Sequence, residues 1–187
     1  MWQDRTTLID KKGVRKVLAL RVNDVNNFMK GLVAGNLFDP FLMIEGQLNT
    51  AVSYTFDGRI NKEFYASDSD SDLSHSDMPP YEYQPWTETK GNIFSLIKGT
   101  RTPLFMRFTL ALKPDKALEM LTKEMPDEDF SYVKLLLITI KYENSAITLT
   151  TGTSQKTFVM SHDADNIWDK NIQKYLSAKG VDLTLLQ

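Results

Sequence analysis

The chain has 187 residues, of which 42% are hydrophobic and 11% aromatic, so it can bury a core and lacks the composition of a disordered protein. Its 22 basic and 24 acidic residues nearly balance, which excludes a bulk positive field; binding of nucleic acid or acidic lipid would require a local patch. The absence of cysteine excludes disulfides, thiolate metal sites and a cysteine nucleophile, and makes the cytoplasm the simplest location.

The first patterned segments of the chain indicate a strand followed by a helix. Residues 1–16 have no signal-peptide pattern and are interpreted as a weakly structured leader. The alternation at 17–22 predicts a half-buried strand. An apolar stripe over 25–33, preceded by Asn23 or Asp24 as the cap, predicts an amphipathic helix.

Alternating segments and an Asp-Gly turn predict a run of strands after this helix. Three strands are expected, at residues 41–48, 50–56 and 59–65. Residues 17–66 therefore form a first predicted β-α-β-β-β unit.

Residues 67–90 are interpreted as an acidic linker followed by an aromatic strap. Asp68, Asp70 and Asp72 have the spacing of the first ligands of a calcium loop, but Leu73 and Pro79 stand where that loop requires glycine and glutamate. A solvated linker is therefore the favoured interpretation. The aromatic cluster that follows predicts a strap over the core in preference to a partner groove; its members are Tyr81, Tyr83 and Trp86.

The remaining segment, 91–187, repeats the same order of elements at an offset of about 92 residues. After a short amphipathic segment, the patterns predict a strand at 104–112 and a helix beginning at Pro114. Three more strands are expected, at residues 132–142, 146–151 and 156–160, with a turn at residues 151–153. A last helix at 163–179 and a short strand at 181–186 complete the chain.

This element order predicts an α+β fold of two pseudo-repeated β-α-β-β-β units, with packed, largely antiparallel sheets and the helices on one side. The tandem units resemble the architecture of sliding clamps over about residues 17–160. The clamp resemblance implies that helices of both repeats face DNA with basic side chains. In this chain, the first helix offers Lys30 and the second offers Lys116 and Lys123 among acidic residues.

A second set of residues runs through most of the chain: Leu18-Ala19-Leu20, Phe38-Asp39-Pro40-Phe41, Trp86, Lys90, Phe94, Leu96-Ile97-Lys98-Gly99, Arg101 and Pro103. In these residues the chain resembles an uncharacterised bacterial domain-of-unknown-function family, and the resemblance implies no activity.

The densest basic cluster is the candidate anion- or partner-binding site. Lys98 and Arg101 flank a Gly-Thr pair, with Lys90 upstream and Arg107 on the next predicted strand, and Lys30 is a further candidate. The alternative is a helix end at Gly99 with solvated cations, because phosphate-loop spacing is missing.

No catalytic residue, metal site or cofactor is predicted. His75 and His162 lack a second histidine at metal-binding spacing, and no nucleophile elbow is present. The preferred hypothesis is a non-enzymatic binding protein, with a DNA-clamp-like accessory factor as its specific form. The alternatives are a small hydrolase or nucleotide-handling enzyme that uses residues 98–107, and a structural partner in a complex. A protein partner is favoured over nucleic acid, and no apolar run is long enough to predict membrane insertion.

Overall fold

The computed structural model describes residues 17–66, 79–99 and 101–186. Its strands are β1 (Ala19–Val22), β2 (Phe41–Asn49), β3 (Ser53–Asp57), β4 (Phe105–Leu112), β5 (Val133–Glu143), β6 (Ala146–Gln155) and β7 (Leu183–Leu185). Its helices are α1 (Val25–Val33), α2 (Lys62–Ala66), α3 (Trp86–Ile97), α4 (Pro114–Glu124) and α5 (Asp163–Ala178).

The strands form one open, seven-stranded sheet in the order β3-β2-β4-β5-β6-β1-β7. All of its neighbouring strands are antiparallel. The predicted α+β class, antiparallel pairing and C-terminal helix are confirmed. The expectation of separate packed sheets is wrong, because β1 pairs with β6 and β2 pairs with β4, which joins both predicted units in one sheet.

The last strand that was predicted for each unit does not form. Within 59–65, Arg59 makes an isolated bridge to Tyr83, and the chain then turns into α2. Within 156–160, Phe158 and Met160 are 89% and 83% exposed, so the alternating residues there bury no face against the core. A segment with alternating residues forms a strand only where a neighbouring strand and a covering layer are present. Alternation in the sequence does not guarantee either of them.

The turn that was predicted at residues 151–153 is also wrong. Strand β6 continues to Gln155, because β5 begins as early as Val133 and supplies partners along this whole stretch. Leu104, the first residue of the strand predicted at 104–112, is 74% exposed because β4 begins one residue later.

One face of the sheet and four helices form the core. Strand residues such as Phe108, Ile140 and Leu149 are buried in one cluster with the apolar stripes of α1, α3, α4 and α5. Helix α1 begins where the Asp24 carboxylate accepts a hydrogen bond from the Asn27 amide, at 2.9 Å, as expected of a cap. These four helices therefore lie on one side of the sheet, as predicted.

Two indole groups connect helices α3 and α5 to neighbouring segments through hydrogen bonds to backbone carbonyl oxygens. Trp86 in α3 donates from Nε1 to the Leu32 carbonyl oxygen at 2.9 Å, and Trp168 in α5 donates to the Leu137 carbonyl oxygen at 2.8 Å. Both indoles are buried, so each hydrogen bond satisfies a donor that would otherwise be costly to desolvate. In the described part of the chain, no helix is both long and apolar enough to cross a bilayer.

The segment from Glu82 to Pro85 runs beside the start of β2. The Met43 amide donates to the Gln84 carbonyl oxygen, and the Gln84 amide donates to the Gly58 carbonyl oxygen, each at 2.8 Å. Tyr83 is buried by this arrangement. The segment thus forms a wall next to β2 and β3.

Candidate binding surface on the sheet

Part of the face of the sheet opposite α1, α3, α4 and α5 is lined by polar side chains. Alternation places every second strand residue there, and the strand register aligns these residues from strand to strand. We call this surface the open face. One residue from each strand forms a line across it, the cationic row: Thr55, Gln47, Arg107, Lys141, Thr148, Arg21 and Thr184.

Two arginines of the cationic row present free guanidinium groups. Arg21 and Arg107 are exposed, and neither forms an ion pair with another described residue. Lys141 is different, because its ammonium lies 2.7 Å from the Glu143 carboxylate and 5.8 Å from the centre of the Phe105 ring. The row therefore combines unneutralised arginine charge with one locally compensated lysine.

A second line, the threonine row, lies two residues further along the strands. It consists of Asp57, Glu45, Thr109, Thr139 and Thr150. The Thr109 hydroxyl lies 3.4 Å from Glu45 Oε1 and 3.3 Å from the Thr139 hydroxyl. The open face therefore carries both signs of charge, with acidic groups concentrated at the β2–β3 end.

A depression of about 540 Å³ lies where the open face meets the wall segment. Its polar lining comes from both rows, from Arg59 and from Tyr83 of the wall segment; the row residues are Glu45, Gln47, Thr55, Asp57 and Arg107. The volume falls within the range of small-molecule sites, about 300–1,000 Å³.

In the structure, the predicted site residues lie in different parts of the fold. Arg107 lies on the open face, whereas Lys30 is exposed on α1, in the helix layer. Lys98 follows the end of α3, where its amide donates to the Phe94 carbonyl oxygen at 2.8 Å, and Arg101 is exposed in the connection to β4. These residues therefore do not converge on one anion.

Lys90 already has two partners inside the fold. Its ammonium donates to the Gly35 carbonyl oxygen at 2.7 Å and to Asp39 Oδ1 at 2.5 Å. The contacts join α3 to the loop after α1. That geometry gives Lys90 a structural role that the sequence did not indicate.

A pocket shared by Arg107, His162 and a carboxylate would have favoured the enzyme hypothesis. His162 lies at the start of α5, on the helix side, with its Nδ1 atom 3.4 Å from Asp165 Oδ2, whereas Arg107 lies on the open face. Within the described ranges, no cluster of three or more histidine or carboxylate residues is arranged to hold a metal ion. The predicted linker carboxylates and His75 lie outside the described residues.

Sequence reasoning missed Arg21 and Lys141 as companions of Arg107. Each is a cation at an outward position of an alternating strand, which is the signal that could have identified it. Their alignment depends on β1 lying beside β6, and strand order cannot be read from alternation.

A family model described as a family of unknown function (DUF5721) matches residues 31–183. No curated protein and no solved structure matches the chain, so no similarity to sliding clamps is found.

Proposed function

Because this chain belongs to a family of unknown function, DUF5721, we propose its function from its own geometry: it is a non-enzymatic binding protein that docks a protein partner on the open face. The observation that carries the proposal is the cationic row. Seven strands align one polar residue each over about 29 Å, at about 4.8 Å per strand. Such a surface is wide and regular enough to receive another macromolecule.

Charge distribution favours a protein over nucleic acid as the partner. Arg21 and Arg107 lie on the same face as Glu45, Asp57 and Glu143, and the whole chain has a formal charge of −2. A phosphate backbone offers one sign of charge and would meet repulsion from the carboxylates. A protein surface can match both signs, and arginine is enriched in protein interfaces.

Aromatic content supports the same choice. Single-stranded nucleic acids bind on platforms of exposed aromatic rings that stack with bases. Phe105 is the aromatic residue of β4 on this face, and it is only partly exposed beside Lys141. The cationic row and the threonine row consist of threonine, glutamine and charged residues. These residues suit hydrogen bonding with the side chains and backbone of a protein partner.

Site-specific photocrosslinking in the native cell tests this proposal. A benzoylphenylalanine placed at Thr148 on the open face is expected to give a discrete protein adduct, and one at exposed Ser177 on α5 is expected to give none. Reversal of both free arginines, Arg21→Glu with Arg107→Glu, should reduce the Thr148 adduct at least about tenfold, equivalent to about 1.4 kcal/mol. Lys30→Glu with Lys123→Glu, on α1 and α4, is the matched double charge reversal in the helix layer and should leave the yield unchanged.

Three results would count against the proposal. These are equal adducts from Thr148 and Ser177, an adduct yield unaffected by arginine reversal, or a Thr148 adduct that nuclease removes. Fluorescence anisotropy with duplex and single-stranded DNA tests nucleic-acid binding independently of the crosslinking experiment. Saturable binding that weakens steeply with salt would replace the protein partner by nucleic acid.

A further inference from the structure

Two carboxylates face each other across strands in the depression of the open face. Glu45 on β2 and Asp57 on β3 are directly paired in the register. Side chains at such positions have Cβ atoms about 4.5–5.5 Å apart, and like charges there are unfavourable. Neither carboxylate forms an ion pair with another described residue.

The nearest cations do not neutralise this pair. Arg59 follows Asp57 closely in sequence, but its guanidinium lies 3.1 Å from Glu82 and 3.2 Å from the Tyr83 hydroxyl, above the Tyr83 ring. Arg107 lies in the neighbouring cationic row, opposite Gln47, and forms no ion pair with another described residue. The depression thus contains an unneutralised acidic pair and an unneutralised guanidinium, separated along the strands.

Backbone geometry makes this part of the sheet concave. The register of β2 against β4 shifts between Met43 and Glu45, which is a bulge that re-aims the Glu45 side chain. Gly58 approaches the same strand closely, with its amide 3.0 Å from the Ile44 carbonyl oxygen. The wall that follows encloses one side of the depression.

We propose that the depression binds a small zwitterion, with a primary ammonium between Glu45 and Asp57 and a carboxylate at Arg107. The two groups of the ligand must span about 7 Å or more, because the rows are two residues apart along the strands and Arg107 lies on the strand next to Glu45. Gln47 and Thr55 line the depression and supply hydrogen-bonding groups on the carboxylate side. This inference goes beyond the proposed docking of a protein, and either can fail alone because Thr148 lies on β6, outside the depression.

A matched series of three six-carbon probes tests the charge requirement. 6-Aminohexanoate carries both charges at a span that fits the two rows, hexylamine carries the cation alone and hexanoate the anion alone. Binding to the full chain is followed by amide chemical shifts in NMR titrations. 6-Aminohexanoate should bind with a Kd on the order of 1 mM, as expected for a few exposed charge contacts, and about tenfold more tightly than either analogue. β-Alanine, whose charges are too close together, should bind as weakly as the analogues.

Three substitutions assign the binding to the depression. Asp57→Asn and Arg107→Gln should each weaken 6-aminohexanoate binding about tenfold, while Arg21→Gln, at the far side of the cationic row, should not change it. Arg107 and Asp57 are exposed, so both variants should retain the wild-type spectrum elsewhere. Equal affinity for the three six-carbon probes, absence of shifts at about 50 mM ligand, which is about 50-fold the expected Kd, or equal weakening by Arg21→Gln would overturn the assignment.

Discussion

A single tyrosine hydroxyl connects α5 to the loop after α1. Tyr175 Oη donates to the Leu37 carbonyl oxygen at 2.8 Å, and its ring lies 6.3 Å from the Phe41 ring. Burial raises the pKa of Tyr175, and the negative charge of Asp39 raises it further. The folded chain therefore holds this proton to higher pH than the unfolded chain, whose tyrosine pKa is about 10.

Tyr175→Phe should lower the free energy of unfolding by about 1 kcal/mol at neutral pH, because the Leu37 carbonyl loses its donor. The stability that Tyr175 contributes is complete below about pH 10 and is lost as the pH rises through the pKa of the folded state. The difference between wild type and variant should therefore shrink above pH 10. Urea unfolding from pH 7 to 11 measures this difference in the free energy of unfolding.

Tyr54→Phe is the control, since its hydroxyl makes no hydrogen bond to another described residue. A constant difference across this range would contradict the assignment.

At the same scale, the candidate site could be predicted only in part. Arg107 was identified because it belongs to a dense basic stretch of sequence. Arg21 and Lys141 come from distant segments and meet it only through β4–β5–β6–β1 pairing. Lys90 was placed in the site by the same density argument, yet Asp39 and Gly35 already occupy its ammonium. The density of basic residues along a sequence shows only how many cations a segment carries. A binding site depends on which of those cations remain unpaired after folding.

Elements with a strong local signal were predicted well, and elements that depend on neighbours were not. Helix α1 has its cap at Asp24 and a clear apolar stripe, both of which are properties of nearby sequence. Strand β6 runs four residues past its predicted end, through Gly152, because β5 extends beside it. The segment at 59–65 loses its strand because the wall segment, not another strand, takes the place beside β2.

Gly58 is the residue on which that wall depends. A Cβ atom at position 58 would lie 1.8 Å from the Met43 carbonyl oxygen, a contact that only backbone movement can relieve. Gly58→Ala should therefore lower the free energy of unfolding by about 2–3 kcal/mol.

Gly152→Ala on β6 is the matched control. A Cβ there meets nothing within 4 Å, so this variant should be neutral or more stable by about 0.4–1 kcal/mol. Chemical denaturation of the two variants and wild type measures the contrast. Equal effects of the two substitutions would show that the close approach at Gly58 has little energetic weight.

At the scale of the whole molecule, the chain crosses the sheet early. Strand β1 lies between β6 and β7, and α1 then leads to β2 near the opposite edge. In the sheet, strands of the first unit (β3, β2 and β1) therefore lie on both sides of β4, β5 and β6 from the second unit, although each unit is continuous in sequence. Such interleaving was not predictable, because two successive units with the same element order fit two separate sheets equally well.

Interleaved strands should make unfolding a single cooperative transition. Trp86 in α3 packs 5.7 Å from the Phe108 ring, and Trp168 in α5 packs 6.3 Å from the Phe41 ring, so the two indoles report on different parts of the core. Variants with one core tryptophan each, Trp2→Phe/Trp168→Phe and Trp2→Phe/Trp86→Phe, isolate their fluorescence. In each variant, the fluorescence and far-ultraviolet circular dichroism transitions in urea should coincide. Comparison within a variant removes the effect of the substitution itself on stability. Transitions that separate in either variant would mean that the two sequence units unfold independently despite sharing one sheet.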